Sequence, residues 1–191
     1  MTRLLFGGAW DRWRTSIIPV LPPTGTIIDL GCGTGALVHR LNTLGYVAFG
    51  LDREPSMLRR ARSLPTSRSR LVRGDAGALP FRDSVFDACV ATFPARYILQ
   101  PATLDEVARV VRPGGALVIV LSGYTEDWPL RRLPIRLALR IFYGRRDTEQ
   151  APPPDLIAHP ALLGEWCWRT NGPDHVLAWI GVRSDASKSA G

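Results

Sequence analysis

Cysteine, lysine and long apolar runs are scarce in this 191-residue chain. Its three cysteines, Cys32, Cys89 and Cys167, are far apart and follow no CxxC or metal-ligand spacing. That excludes a disulfide framework and a cysteine metal site, so no metal is expected and the thiols read as buried and reduced. No apolar run approaches the ~18–20 residues of a membrane span. The opening "MTRLLFGGAWDRW" lacks the long apolar core and small-residue cleavage site of a secretory leader. A cytoplasmic protein is therefore expected.

Lysine is nearly missing: Lys188 stands against 23 arginines in a chain of net charge +7. Such a balance fits an anionic partner. A bias replacing Lys by Arg everywhere would look the same, so the charge does not select nucleic acid. An apolar content of 46% is that of a globular protein. The length predicts a single domain, drawn here over 1–184, with "DASKSAG" (185–191) ending in a disordered tail.

Strand and helix patterns alternate along the first two thirds. "TIIDL" (26–30), "YVAFGLD" (46–52), "SRLVRGD" (69–75), "VFDACVAT" (85–92) and "ALVIVLS" (116–122) read as strands. "ALVHRLNTLG" (36–45), "PSMLRRARSL" (55–64) and "PATLDEVARVVRPGG" (101–115) read as helices, the last stopped by Pro113 and two glycines. This order predicts an α/β fold, a Rossmann-like, doubly wound, mostly parallel sheet with helices on both faces. "EWCWRT" (165–170) and "DHVLAWIGVRS" (174–184), joined by "NGP", predict a C-terminal antiparallel hairpin. Five of the six tryptophans, Trp10, Trp13, Trp166, Trp168 and Trp179, are expected in core or hairpin packing.

The stretch "TIIDLGCGTGAL" (26–37) places Gly31, Gly33 and Gly35 within five positions at the exit of the first strand. A strand-to-helix turn rich in glycine exposes backbone N–H groups and lets a ligand touch the chain. "GCGTGA" satisfies the loose dinucleotide fingerprint, and Asp52 stands 21 residues after Gly31, where an acid would meet a ribose. On spacing alone a nicotinamide dinucleotide and another nucleoside cofactor both remain open.

Four elements in order carry a resemblance: "IIDLGCGTG", "VAFGLDREPSML", "VRGDAGALPFRDSVFD" and "EVARVVRPGGALVIV". Together they resemble the class I S-adenosylmethionine-dependent methyltransferases, specifically the small-molecule and lipid branch that includes the quinone C-methyltransferases. The resemblance covers roughly residues 24–122. It implies S-adenosylmethionine as cofactor. Asp29 and the backbone of Gly31, Cys32, Gly33 and Gly35 would hold the methionine part. Asp52, with Arg53 beside it, would accept the ribose hydroxyls. Met57 would line the adenine pocket, Asp75 would take the adenine amine with Ala76 alongside, and Thr92 and Phe93 would pass under the methionine.

Methyl transfer from a sulfonium needs alignment more than a catalytic residue. The candidates for contact with the acceptor are Arg96, Tyr97 and His159. Where nitrogen-modifying relatives often carry Asp/Asn-Pro-Pro-aromatic, this chain has "TFPARYI" (92–98), which favours oxygen or carbon methylation over nitrogen. The resemblance implies a small-molecule or lipid, quinone-like acceptor rather than nucleic acid. Residues 123–162 occupy the place of an acceptor-site cap, and the N-terminal stretch is a candidate second lid. Within the cap, 130–146 reads as a basic amphipathic helix with a stripe of Arg132, Arg136 and Arg140. Such a helix can lie on an anionic membrane surface, giving peripheral contact at the inner face. The other reading of the chain is a non-catalytic module that binds S-adenosylmethionine and supports a partner protein.

Overall fold

A computed structural model describes residues 8–64, 70–126 and 152–185. Seven strands form one sheet in the order β3-β2-β1-β4-β5-β7-β6. They are β1 (Thr26–Leu30), β2 (Val47–Asp52), β3 (Arg70–Arg73), β4 (Phe86–Thr92), β5 (Val111–Thr125), β6 (Leu162–Asn171) and β7 (Asp174–Arg183). The first five run parallel, and β7 is antiparallel to both β5 and β6. The expected Rossmann-like sheet with its reversed end is thus present.

Four α-helices belong to the described residues: α1 (Ala9–Thr15), α2 (Ala36–Thr43), α3 (Pro55–Arg62) and α4 (Pro101–Val110). Alternation along β1 sorts the core into two layers. Ile28 and Leu30 face the layer with Leu104, Val107 and Ala108 of α4. Ile27 faces the other, with Trp13 of α1, Leu37, Val38 and Leu41 of α2, and Leu58 of α3. Proline opens both α3 and α4, where its missing N–H costs nothing.

Several expected boundaries move. The helix expected to run to Gly115 stops at Val110, because Val111 is extended and pairs with Phe86 of β4. The pairing then jumps to Ala88 with Ala116, so Arg112–Gly115 bulge out between two paired residues. Pro113 explains the break: it has no N–H for a ladder and turns Arg112 away from helical geometry. β5 also continues past Ser122 to Thr125, pairing with Asp174. The hairpin strands span 162–171 and 174–183, longer at the start and shorter at the end than the pattern suggested. Gly172 has φ +58, the positive value a two-residue hairpin turn needs at its first central position. The expected helix over 130–146 lies outside the described residues, as does the tail from 186.

The tryptophans divide as packing demands. Trp179 and Trp13 are buried, while Trp10, Trp166 and Trp168 are half-buried. Trp13 donates to Asp174 Oδ1 at 3.0 Å, and Arg12 bonds the same carboxylate. Burial alone would raise the Asp174 carboxyl, but Arg12, Thr125 and Trp13 together hold it below the usual range. These bonds clamp α1 onto the hairpin turn.

Candidate functional site

The chain reverses its winding direction between β1 and β4, and a cavity of about 600 Å³ opens there at the carboxyl ends of the strands. Four strand exits supply its wall: Gly31 after β1, Asp52 closing β2, Gly74 and Asp75 after β3, and Phe93 after β4. Leu51, Arg53, Ala76, Arg96, Tyr97 and Gln100 complete most of the rest. Of the residues singled out in the sequence, the fold brings Gly31, Asp52, Arg53, Asp75, Ala76, Phe93, Arg96 and Tyr97 to one place.

The glycine turn is built for close approach. Gly31 has φ +71, and a Cβ there would collide with the Tyr97 hydroxyl. The N–H groups of Gly31 and Cys32 both donate to Leu51 O, at 2.8 and 3.0 Å, and so tie the exit of β1 to β2. Asp52 is buried at the cavity wall. Its Oδ2 accepts from Gly33 N–H and its Oδ1 from Glu54 N–H, each at 2.8 Å. One carboxylate therefore fixes the glycine turn and the entry of α3. Each oxygen keeps a lone pair for a ligand donor.

Asp29 sits behind the turn, 1% exposed, with no hydrogen-bond partner for its Oδ1. Burial pushes its carboxyl up to about 7, with Arg14 pulling against the rise and Asp52 adding to it. A buried oxygen left without a donor is costly unless something supplies one. A ligand donor such as an ammonium group would meet that need.

Phe93 adopts φ +52, a left-handed conformation uncommon for a large side chain. Its N–H donates to Val120 O at 2.8 Å, and its ring stacks on Trp10 with centroids 4.2 Å apart. The strained backbone at the mouth of the crevice is thus over-determined by α1 above and β5 beside it. No sequence signal announced it; Pro94 next in line would have argued for extended backbone.

Tyr97 donates its hydroxyl to Leu30 O at 2.9 Å. Burial, then the Asp29 charge, push its phenol well above the ordinary range, so it stays protonated as a donor. It braces the exit of β1 rather than serving as a base. The three thiols are likewise inert by environment; burial carries Cys32 and Cys89 well above the ordinary thiol range. Cys32 contributes backbone, its side chain lying buried under the turn.

Seven singled-out positions do not line this cavity: Asp29, Cys32, Gly33, Gly35, Met57, Thr92 and His159. Gly33 and Gly35 shape the turn, Gly35 standing just ahead of α2. Met57 is half-buried on α3. His159 is held by hydrogen bonds away from this cavity. Its Nε2 meets Asp105 Oδ1 of α4 at 3.1 Å and its Nδ1 accepts from Ala161 N–H at 3.1 Å, so both ring nitrogens are used in holding the approach to β6. Within the stretch 123–162 expected as a cap, Tyr124 and Thr125 belong to β5, and Ile157 and Leu162 are buried in the α4-side core.

Comparison with known proteins gives the same outline. A family model described as a methyltransferase domain matches residues 28–119. The chain is 37% identical over 145 residues to the demethylmenaquinone methyltransferase of Corynebacterium kroppenstedtii, covering 69% of this chain and 61% of that protein. It is 37% identical over 153 residues to the demethylmenaquinone methyltransferase of Thermus thermophilus, covering 76% and 67%. A solved structure from Pyrococcus horikoshii superposes with a TM-score of 0.62 at 20% identity, covering 94% of this chain and 98% of that one.

Proposed function

The chain belongs to the class I S-adenosylmethionine-dependent methyltransferase family, and on that premise we propose that it methylates a small, quinone-like acceptor. The observation that carries the reading is the cavity at the four strand exits, where an acid closing β2 and an acid following β3 face one space with the glycine turn. The relatives' names supply the acceptor class: two proteins 37% identical to this chain are demethylmenaquinone methyltransferases.

The residues present fit the cofactor. Asp29 offers the ammonium a buried anionic oxygen with no other partner. Asp52, its carboxylate already aimed by Gly33 and Glu54, accepts the ribose hydroxyls. Asp75 and the backbone of Ala76 hold the adenine edge, with Arg53 at the rim and Met57 on the helix behind. Thr92 and Phe93 lie below the methionine. The bound cofactor supplies a methyl carbon on positively charged sulfur, which leaves readily when a nucleophile attacks in line. The chain's work is therefore to hold, align and exclude water, which can remove ~7–11 kcal/mol of barrier. The Trp10–Phe93 stack roofs the crevice on the α1 side. Arg96, exposed at the cavity rim, is placed to meet an acceptor oxygen.

A quinone-like acceptor with an apolar tail resides in a bilayer. Among the described residues no helix is long and apolar enough to cross one. Peripheral contact through the arginine-rich stretch 130–146 fits that need, and flotation with anionic against neutral vesicles tests it.

The deciding assay supplies methyl-labelled S-adenosylmethionine and a prenylated naphthoquinol lacking its ring methyl. Label entering the organic phase with the wild type, and not with Asp52→Ala, supports the reading. No label from a wild type that still binds S-adenosylhomocysteine would leave a binding module in its place.

A further inference from the structure

A second cavity, about 710 Å³, lies on the α1 side of the glycine turn. Its wall includes Trp10 and Arg14 of α1, Thr34 and Ala36 at the end of the turn, and His39 of α2. It adjoins the first cavity through the Trp10–Phe93 stack, since Trp10 lines one and Phe93 the other. The same turn thus borders both spaces, Gly31 on one side and Thr34 with Ala36 on the other. Asp29 belongs to this side of the sheet as well. In a strand of period two it shares the face of Ile27, which packs in the layer of α1 and α2. Arg14 is the cation whose field reaches Asp29, and its side chain is only 15% exposed. Its contact with Asp11 is long, 3.4 Å, to a carboxylate 45% exposed, so that pair is weak and exchangeable.

The amino-acid end of the cofactor is a zwitterion. Asp29 answers its positive half, and the negative half needs a cation on the same side of the turn. We propose that Arg14 receives the cofactor's carboxylate, so that α1 and β1 bind the amino-acid end as an Arg14–Asp29 pair of opposite charges. The inference rests on the methyltransferase reading and adds a binding residue that lies before the matched domain, residues 28–119. It also gives the clamp of α1 to Asp174 a purpose, because that clamp fixes the helix that carries Arg14. A guanidinium meets a carboxylate with two parallel bonds, a geometry lysine lacks.

The test is calorimetric titration of wild type, Arg14→Ala and Arg14→Lys with two ligands. S-adenosylhomocysteine carries the amino-acid end, and 5′-methylthioadenosine lacks it. Arg14→Ala is expected to weaken S-adenosylhomocysteine at least tenfold and to leave methylthioadenosine within about twofold, with Arg14→Lys recovering part of the loss. Equal weakening of both ligands, or of neither, overturns the inference while the methyltransferase reading stands. A wild type that binds neither ligand contradicts both. Unchanged melting of the Lys variant shows that folding is not what the titration reads.

Discussion

Replacing Asp29 by Asn is expected to make the ligand-free protein more stable while weakening its grip on the cofactor. The carboxyl is buried, lacks a partner at Oδ1 and is raised from 3.8 to about 7. Burial is the main cause; Arg14 opposes it and Asp52 reinforces it. The native state therefore holds this proton more tightly than the unfolded chain does. Stability contributed at this site falls as pH rises from about 4 to about 7, and stays low above that. Three units of pH at about 1.36 kcal/mol each make a penalty of up to about 4 kcal/mol in the ionised native state. Asn has nearly the same shape and no charge to bury. Urea denaturation at pH 8.5 should show Asp29→Asn to be the more stable protein, with the difference narrowing to about 1 kcal/mol or less at pH 4.5. Ligand binding should move the opposite way. An ammonium favours the ionised carboxyl, so wild-type affinity for S-adenosylhomocysteine should rise toward pH 7 and the variant's should not follow it. A pH-independent stability difference, or parallel binding profiles, would refute the reasoning.

Two further substitutions probe the frame of the site. Gly31→Ala forces a side chain into a backbone at φ +71 and against the Tyr97 hydroxyl; the backbone strain alone is about 1–2 kcal/mol. Its thermal midpoint should fall and S-adenosylhomocysteine binding should be lost, whereas retained affinity would show that the turn is not a contact surface. Arg109 bonds Glu106 at 2.7 Å and Asp83 at 2.7 Å and donates to Phe81 O at 2.8 Å and Leu79 O at 2.9 Å, gathering the 79–83 loop beside β4. Arg109→Ala should cost about 1–3 kcal/mol in urea denaturation. Its hydrogen bond to Arg109 holds the Glu106 carboxyl below 4.5, so this contribution is present above that pH and fades on acidification. A loss as large at pH 3 as at pH 7 would argue against the ion pair.

The sheet was legible because its signals are local. Apolar runs such as "TIIDL" and "ALVIVLS" end at glycines and acids, and their order alone predicts parallel pairing with a reversed end. Asp52, Asp75 and the glycines were legible for the same reason: each stands at a strand exit, and parallel topology brings strand exits together. What escaped depends on contacts across the chain. The helix ending at Val110 is decided by the pairing of Val111 with Phe86, twenty-five residues earlier in sequence, and not by Pro113 and the glycines alone. Phe93 carries a positive φ that its neighbour Pro94 argues against, held there by Val120 and Trp10. His159 stood in a loop that sequence alone could aim anywhere, and Asp105 fixed it on the α4 side. Arg14 was one arginine among many until α1 was laid against β5 and β7, on the face of the sheet that Asp29 shares with Ile27.

The most direct measurement is a titration of S-adenosylhomocysteine into wild type and Asp52→Ala, with a nicotinamide dinucleotide as the competing ligand. One site per chain, at least tenfold weaker binding by the variant and no measurable nicotinamide binding are the predicted result, since tenfold is ~1.4 kcal/mol, within what one charged acceptor supplies. Equal affinity of wild type and variant would contradict the cavity as the cofactor site. Tighter binding of the dinucleotide would contradict the account as a whole.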